Sequence, residues 1–391
     1  MLWQDVRHLR DWAESEPEVR ARLFNPPSRN VTEKRRDARA CASELAGAFD
    51  TFGLLLETPL TVHGGGLAAA CEQVVTWAQE REFRETAIEW AEIAALVDPA
   101  NPRFANLAGR VTRNSDEYDR AEVWFRIGLG YARENDDTIE LIRGHLGYGT
   151  LCKLLGRVKG ARKHLNAGAN MAWRDGPPSL AAEAQHDLCA MLIVRGHLSE
   201  ALERAQRALL WYPKSHHRIP FFAADVGLML VLGRRFTAAA RLLRNSLRHV
   251  QQPSARGVIM ALTARAFAGA GEPEESAVLR SRVLKLLEKH TSLEPVTRWH
   301  LADAQRLAGN WDAAEAEAAS TLAVAIEQND REIERLTRHC MRLIDARRCD
   351  PAKRASDELR EFLRNLTDRV AGWSPRRARQ WPGPWGTDWA A

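Results

Sequence analysis

The stretch that decides the fold is Asn114–Gly130, which reads NSDEYDRAEVWFRIGLG. Its apolar residues recur at helical spacing, and Ala121 lies three residues after Tyr118 and four before Phe125. A small residue on the buried face of a helix usually leaves room for a close neighbour. Ala121 therefore predicts that a second helix packs tightly against this one.

The same short segment, a turn followed by an apolar residue and a small one, recurs along the chain. The alanines that end these segments are Ala87, Ala121, Ala161, Ala201, Ala239, Ala277, Ala314 and, with a weaker match, Ala355. Successive alanines are 34 to 41 residues apart. A period in this range predicts a stacked array of helical hairpins.

A second set of positions has the same period. Twelve residues before the alanines lie Val75, Gly109, Gly149, Cys189, Gly227, Arg265, Ala302 and Leu343. Most of them are small, although glycine inside a helix costs about 0.5–1 kcal/mol relative to alanine. We infer that the helix carrying the alanine passes close to these positions. Arg265 and Leu343 depart from the pattern and leave the register of the sixth and eighth units open.

This series resembles the tetratricopeptide repeat family, whose units carry Gly or Ala on the first helix, Ala on the second and often Pro after it. Gly109, Ala121 and Phe125 match that pattern, and Pro99 and Pro213 occupy the place of the closing proline. The resemblance implies an all-α fold, a right-handed α-solenoid of about seven or eight stacked helix-turn-helix hairpins. It also implies an interaction protein without catalytic activity.

The first 62 residues (1–62) predict an N-terminal helical cap for the array. An amphipathic helix is expected over residues 2–24, stopped by Asn25-Pro26-Pro27, and a second one from about Thr32. A run of glycines then predicts a Gly-rich linker over residues 63–67. The repeats are expected to occupy residues 68–370.

The C-terminal tail, residues 371–391, changes composition abruptly to Trp, Pro and Arg. Prolines exclude regular pairing, and tryptophans are costly to leave in water. We expect Trp381, Trp385 and Trp389 to dock on the chain's own helices, with docking into a partner and simple disorder as the alternatives.

Composition limits the class of protein. The formal charge is +5 and the pI is about 9.0, a modest excess that is weak evidence for nucleic acid. The six cysteines form no CxxC pair, which predicts free thiols in a reducing cytosol and a cytoplasmic location. The longest apolar run, Phe221–Gly233, falls short of the roughly 20 residues that cross a bilayer. We therefore expect a soluble protein.

Catalytic and metal motifs are not found. The HGGG string at His63–Gly66 is not accompanied by the GxSxG that an esterase needs. His216 and His217 have no ligand residue at metal spacing nearby and are interpreted as a surface pair. HExxH, P-loop and GxGxxG sequences are missing as well. We expect no enzymatic activity, no cofactor and no metal.

A ligand is expected on the inner wall, which the first helices line. The helical phase places basic and amide side chains there, namely Arg103, Asn106, Arg110 and Arg113 in the second unit and Arg143 and Lys153 in the third. Such donors suit carboxylates or phosphates, and an acidic peptide would fit. The alternative is a solvated charged face, or pairing with the nearby acids Asp116, Glu117 and Glu122.

Further along the chain, the same phase selects apolar residues. They are Phe221, Ala224, Leu228, Val231, Ile259 and Leu262. They form an apolar part of the groove, or another segment such as the tail covers them, or the phase is off by one and they belong to the core. Trp299 and Asp303, with Arg306, are expected to extend the groove.

The leading hypothesis is a cytosolic scaffold or adaptor that holds a peptide or a partner subunit in its concave groove. The alternative is a peptide-responsive sensor, similar to bacterial tetratricopeptide receptors, that controls a separate effector protein. Nucleic-acid binding through the basic excess ranks lowest of the three possibilities, because aromatic residues are not interleaved with the basic ridge. No membrane partner is expected.

Overall fold

The computed structural model describes residues 2–20, 23, 43–289, 293–349 and 351–374, and over these residues the protein is all-α. A 3₁₀ turn, Ser43–Leu45, precedes the third of the helices numbered here. They are α1 (Leu2–Glu14), α2 (Pro17–Arg20), α3 (Ala46–Glu57), α4 (Gly64–Glu80), α5 (Arg84–Val97), α6 (Pro102–Asn114), α7 (Tyr118–Glu134), α8 (Thr138–Leu154), α9 (Val158–Asp175), α10 (Pro178–Val194), α11 (Leu198–Trp211), α12 (Ile219–Leu232), α13 (Phe236–Ser246), α14 (Pro253–Ala270), α15 (Pro273–Leu287), α16 (Glu294–Leu307), α17 (Trp311–Glu327), α18 (Arg331–Asp345) and α19 (Asp357–Ala371). None of the described helices is long and apolar enough to cross a membrane.

Consecutive helices pack against one another as hairpins. The pairs are α4 with α5, α6 with α7, α10 with α11, α12 with α13, α14 with α15, and α16 with α17. The first helix of a hairpin also packs on the first helix of a neighbouring hairpin, as α14 does on α16. The all-α class and the successive hairpins are confirmed, whereas the right-handed course of a superhelix stays a prediction.

Glycines on the first helices make room for large side chains of the second helices. A Cβ at Gly109 would lie 2.9 Å from Phe125 Cδ1, and a Cβ at Gly227 would overlap Leu243. Phe125 and Leu243 each follow the repeat alanine by one helical turn, and Ala121 and Ala239 are themselves fully buried. The glycine therefore accommodates the residue one turn beyond the alanine.

The turn inside each hairpin has a fixed geometry that sets the register of the repeat. One residue with positive φ lies five positions before the small residue of the second helix. These turn residues are Glu82, Asp116, Gly156, Gly196, Arg234, Gly271 and Gly309. Glycine adopts this left-handed conformation without the strain that a side chain adds.

The register of the sixth unit differs from the prediction by one residue. Five positions after Gly271 lies Ser276, which is buried, while the predicted Ala277 is exposed. Twelve residues before Ser276 lies Ala264, which is fully buried. The small pair is thus Ala264 with Ser276, and Arg265 does not occupy the small position.

The eighth alanine, Ala355, does not lie on a helix. It falls in the non-helical stretch 351–356, and α19 begins only at Asp357, where the Ser356 hydroxyl accepts a hydrogen bond from the Leu359 amide. The last repeat therefore departs from the pattern because its two helices are joined by a longer connection.

The N-terminal helix is shorter than predicted. It ends at Glu14, because Pro17 three residues later starts a separate turn of helix. Val6, Leu9 and Trp12 are buried, and the Trp12 indole donates to the Pro59 carbonyl at 3.0 Å. The predicted helix start near Thr32 lies outside the described residues. A cap over residues 1–62 stays a prediction.

The predicted Gly-rich linker over residues 63–67 is helical from its second residue. Gly64, Gly65 and Gly66 form the first turn of α4. A Cβ at Gly64 would overlap the backbone carbonyl of Val97, at the end of α5. The glycine is there because two backbones meet, and no side chain fits between them.

The chain folds as two compact units whose boundary falls inside the predicted array. The first comprises residues 1–151 and the second begins at Cys152. In the second unit, α18 packs its apolar face on Trp299, and its Arg335 donates to the Val194 carbonyl at 2.7 Å. This brings the last part of the unit onto the end of α10, close to where the unit begins.

The end of the described chain folds back over the second unit. The Lys353 amide donates to the Arg234 carbonyl at 2.7 Å, and Arg369 donates to the Tyr212 carbonyl at 2.7 Å. The buried Trp373 donates its indole N–H to the His216 carbonyl at 2.9 Å. The first tryptophan of the C-terminal region thus packs on the protein itself, whereas Trp381, Trp385 and Trp389 lie outside the described residues.

Candidate functional site

The predicted arginines of α6 and α8 lie in the first unit and are oriented by acids of neighbouring first helices. Arg103 makes an ion pair with Glu72 of α4 at 2.6 Å. Arg143 makes one with Glu140 of its own helix at 2.5 Å. α6 begins at Pro102, where the Asn101 side chain accepts a hydrogen bond from the backbone N–H of Arg103. The helix start therefore fixes which face the arginines occupy.

Asn106 is not exposed to a ligand as predicted. Its side chain is buried, and Nδ2 donates both to the carboxylate and to the backbone carbonyl of Glu140, each at 2.9 Å. Its Oδ1 faces Gly128 and Gly144, where side chains would collide with it. Asn106 therefore holds Glu140, which in turn holds Arg143.

Arg110 lies among like charges. Its pKa is lowered to about 10, mainly by burial; Glu72 and Glu140 act to raise this pKa, and the nearby charges of Arg143 and Arg113 act to lower it. Arg110 still carries its charge at neutral pH. Arg113 donates to the Gly147 carbonyl at 3.4 Å and to the Asn114 side chain at 2.9 Å.

Two of the three acids named in the alternative pair with other arginines. Asp116 pairs with Arg84 at 2.7 Å, and Glu122 pairs with Arg126 at 2.6 Å. The guanidinium groups of Arg103, Arg110, Arg113 and Arg143 and the carboxylates of Glu72 and Glu140 interact with one another on adjacent first helices. We call these six residues the arginine face. Guanidinium groups arranged in this way are donors that suit a carboxylate or phosphate.

Lys153, which the sequence groups with these arginines, belongs to the second unit. There its charge acts on the carboxylate of Asp225. Burial would raise the pKa of Asp225, but the hydrogen bond from His186 and the charges of His186 and Lys153 lower it. Lys153 is therefore assigned to a different cluster from the arginine face.

The predicted apolar groove of the second unit is part of the core. Ala224, Val231, Ile259 and Leu262 are buried. Leu228 packs on the cluster around Trp299 and α18, while Phe221 stays exposed over about a third (36%) of its surface. These positions were expected to face solvent, but most of them are buried within the second unit.

Trp299 and Asp303, also predicted to line the groove, are buried in the second unit. Asp303 accepts from Arg265 and from Arg306, each at 2.5 Å, and from the Cys340 thiol at 3.5 Å. The Arg265 guanidinium also lies over the Trp299 ring, 4.7 Å from its centre.

In this buried ion cluster, Arg265 and Arg306 both pair with the carboxylate of Asp303. Burial alone would raise the pKa of Asp303, but the charges of Arg265 and Arg306 hold it well below its ordinary value. Burial and Arg265 together lower the pKa of the neighbouring His300, which is therefore neutral. Trp299, Asp303 and Arg306 stabilise the core and are not available to a ligand.

A second buried network surrounds His186 of α10. Its ring nitrogens lie 2.9 Å from the Tyr212 hydroxyl and 2.8 Å from the Asp225 carboxylate. His216, interpreted from the sequence as a surface residue, is almost fully buried and lies 3.3 Å from Glu183. Burial would raise the pKa of Glu183, but His216 and Arg218 lower it well below its ordinary value.

These His, Asp and Glu groups satisfy one another. Arg218 joins Glu183 at 3.2 Å to Asp187 at 2.5 Å. Within the described part of the chain, no group of His, Cys, Asp and Glu has an arrangement that could hold a metal ion. The network links the loop 212–218 to α10 and α12.

No protein-family model matches the chain. No curated protein matches it either. Among solved structures, it is similar to the one titled "Crystal Structure of P58(IPK) TPR Domain at 2.5 A", with 12% identity over 81% of this chain and 98% of that one, and a TM-score of 0.25. The description of the chain as tetratricopeptide-like rests on its own evidence: the described helices, their hairpins and their small residues are consistent with such a protein.

Sequence analysis missed the acids that orient the arginine face, although a signal was present. Glu140 lies 34 residues after Asn106, and Glu72 lies 31 residues before Arg103. Both offsets are close to one repeat, so the paired residues occupy similar phases on adjacent first helices. Partners on neighbouring helices can be found by searching for opposite charges one repeat apart.

Proposed function

We propose that the first unit binds an acidic segment of a protein partner on the arginine face, and that the protein serves as a non-catalytic scaffold. The observation that carries this proposal is the convergence of Arg110, Arg113 and Arg143: burial is the main cause of the lowered pKa of Arg110, and the like charges of Arg143 and Arg113 add to it. A carboxylate placed among them would relieve that repulsion. Stacked helical repeats commonly present such extended binding surfaces.

The orientation of the arginines supports specific recognition. Glu72 and Glu140 hold Arg103 and Arg143, so these side chains are partly ordered before a ligand arrives. Preorganised donors lose less conformational entropy on binding. Guanidinium groups can donate two parallel hydrogen bonds to one carboxylate, which a lysine cannot.

The buried networks support the non-catalytic part of the proposal. The Asp303 cluster is enclosed, and His186 is held between Tyr212 and Asp225. The titratable side chains of both networks pair with one another, which gives them a structural role. The apolar residues predicted for the groove of the second unit are mostly buried and play no part in the proposed binding.

Binding of a fluorescein-labelled peptide that alternates Glu and Ala tests the proposal, measured by fluorescence anisotropy. Arg110→Glu with Arg113→Glu should weaken binding by at least about tenfold, because each lost charge-assisted hydrogen bond contributes about 1.5–3 kcal/mol. The matched control is Arg126→Glu with Arg133→Glu on α7, which changes the net charge equally at exposed positions.

Two outcomes contradict the proposal. One is equal loss in both double variants, which indicates a non-specific charge effect. The other is unchanged binding in the α6 variant while circular dichroism shows the helices intact. Capture of a native partner from the host lysate by the wild type, and its loss with the α6 variant only, would extend the result from the probe to a protein.

The sensor alternative requires the same contact and, in addition, a change of shape. Small-angle scattering with and without the Glu–Ala peptide separates the two. A scaffold keeps its radius of gyration, whereas a sensor changes it when the peptide saturates the site.

A further inference from the structure

A surface cavity of about 630 Å³ lies between α11 and α19 in the second unit. Its apolar wall includes Leu209, Leu210 and Phe362. Leu209 and Phe362 are buried, but Leu210 is 79% exposed, more than any other large apolar residue in the described chain. The groove therefore has a buried floor and one uncovered leucine at its edge, a surface on which an apolar side chain gains contact.

The acidic side of the groove is formed by α19. Glu358, Glu361 and Asp368 line it, against two basic residues, Lys214 and Arg369. Arg369 already donates to the Tyr212 carbonyl at 2.7 Å. The carboxylates Glu358 and Glu361 lie one turn apart near the start of α19, so the end of the groove remote from Gly372 is negative.

The chain leaves the described region at the rim of this groove. Gly372 lines the cavity, and Trp373 is fixed by its hydrogen bond to the His216 carbonyl. The remaining residues, 375–391, carry Arg376, Arg377 and Arg379 followed by three tryptophans. They combine the positive charge and the apolar surface that the groove's walls complement.

We propose that the groove between α11 and α19 binds residues 375–387 of the same chain, with the arginines against Glu358 and Glu361 and a tryptophan over Leu210. The distances agree with a chain that turns back along α19. Eleven helical residues separate Glu361 from Gly372, about 16 Å at 1.5 Å per residue. Five extended residues from Gly372 to Arg377 span about the same distance at roughly 3.1 Å per residue.

A fluorescent probe in the groove of the full-length chain tests this directly. Bimane, which tryptophan quenches on contact, is attached at Asn365→Cys, in a background in which the other labelling sites are removed by Cys41→Ser and Cys349→Ser. Asn365 is exposed and lines the cavity. Its fluorescence should rise when Trp381 and Trp385 are replaced by phenylalanine. A probe at Arg364→Cys, exposed but outside the groove, should not respond.

Charge reversal provides the second measurement. Glu358→Arg with Glu361→Arg should also release the quenching, and adding Arg377→Glu with Arg379→Glu should restore it. Glu274→Arg with Glu275→Arg, two exposed acids of α15, is the matched control and should leave quenching unchanged.

The proposal is overturned if the tail substitutions leave the Asn365 probe unchanged. It is also overturned if quenching grows with protein concentration, because the tail of a second copy then fills the groove. Restoration by the swapped charges, independent of concentration, supports binding within one chain.

Discussion

Replacement of Gly147 by alanine should destabilise the first unit, although alanine is the better helix former. A Cβ at Gly147 would lie 2.7 Å from Phe125 Cζ and even closer to Cε1. Phe125 is almost fully buried, and the same edge of its ring also faces Gly109, where an added Cβ would lie 2.9 Å from Cδ1. A buried ring that faces two helix backbones must shift its neighbours if it is to make room for a methyl group.

The size of the effect follows from two opposing terms. Overpacking a rigid core costs up to about 3 kcal/mol, and the gain in helix propensity returns about 1 kcal/mol. The expected net destabilisation is about 2 kcal/mol. Gly130 is the control, because a Cβ there meets nothing within 4 Å, so Gly130→Ala should stabilise the helix by about 0.5–1 kcal/mol.

Amide hydrogen exchange of peptides from α6 to α8 measures the local free energy of opening in each variant. Phe125→Leu completes a double-mutant cycle. In that background Gly147→Ala should no longer destabilise the unit, because the ring edge that the new methyl group would overlap is absent. The reasoning is refuted if Gly147→Ala and Gly130→Ala change the opening free energy alike, or if Phe125→Leu leaves the cost of Gly147→Ala unchanged.

Three further predictions concern the second unit. Asp303→Asn leaves Arg265 and Arg306 without their carboxylate and should cost about 3–5 kcal/mol, seen as a lower urea midpoint; an unchanged midpoint contradicts it. The lowered pKa values of Asp303 and Glu183 stabilise the fold above the unfolded carboxyl pKa of about 4. Urea midpoints should hold from about pH 7 to 5 and fall as the pH drops below 4, and a rise there would contradict the assignment. Exposed Cys349 should react with a thiol reagent in the native protein long before the buried cysteines do, and equal rates would contradict their burial.

The periodicity of the sequence predicted the hairpins because close helix packing needs small side chains at fixed local spacing. The error of register in the sixth unit, Ala277 for Ser276, arose because the position was assigned from the alanine, whereas the turn residue Gly271 determines which residue faces the first helix. Serine is nearly as small as alanine and occupies the position equally well. The positive-φ turn residue is thus a better marker of register than the alanine.

The candidate site was predicted less well, because the periodicity within one helix does not show which helices from distant parts of the sequence pack against it. The arginines of α6 were placed on one face, but the acids that hold them come from other helices. Leu228 and Trp299 lie at the predicted phase and are nevertheless covered, since α18 packs on them. His216 is buried because Glu183 and the backbone contact of Trp373 come from outside its own hairpin.

Because α18 and α19 fold back, residues that were predicted to line a groove in the second unit are buried. A charge cluster such as Arg265, Asp303 and Arg306 is expensive to bury and is retained here with every member paired. It holds α14 and α16 together where the sequence alone suggested a wet groove. The arginine face of the first unit is therefore the surface on which the binding proposal rests.

Hydrogen exchange of the full-length protein, with and without saturating Glu–Ala peptide, tests the central claim most directly. The account predicts slower exchange in residues 102–114 and 138–151, and no change in residues 219–232 and 294–307. Protection confined to the second pair of segments would contradict it, because the ligand would then occupy the wall that α18 covers.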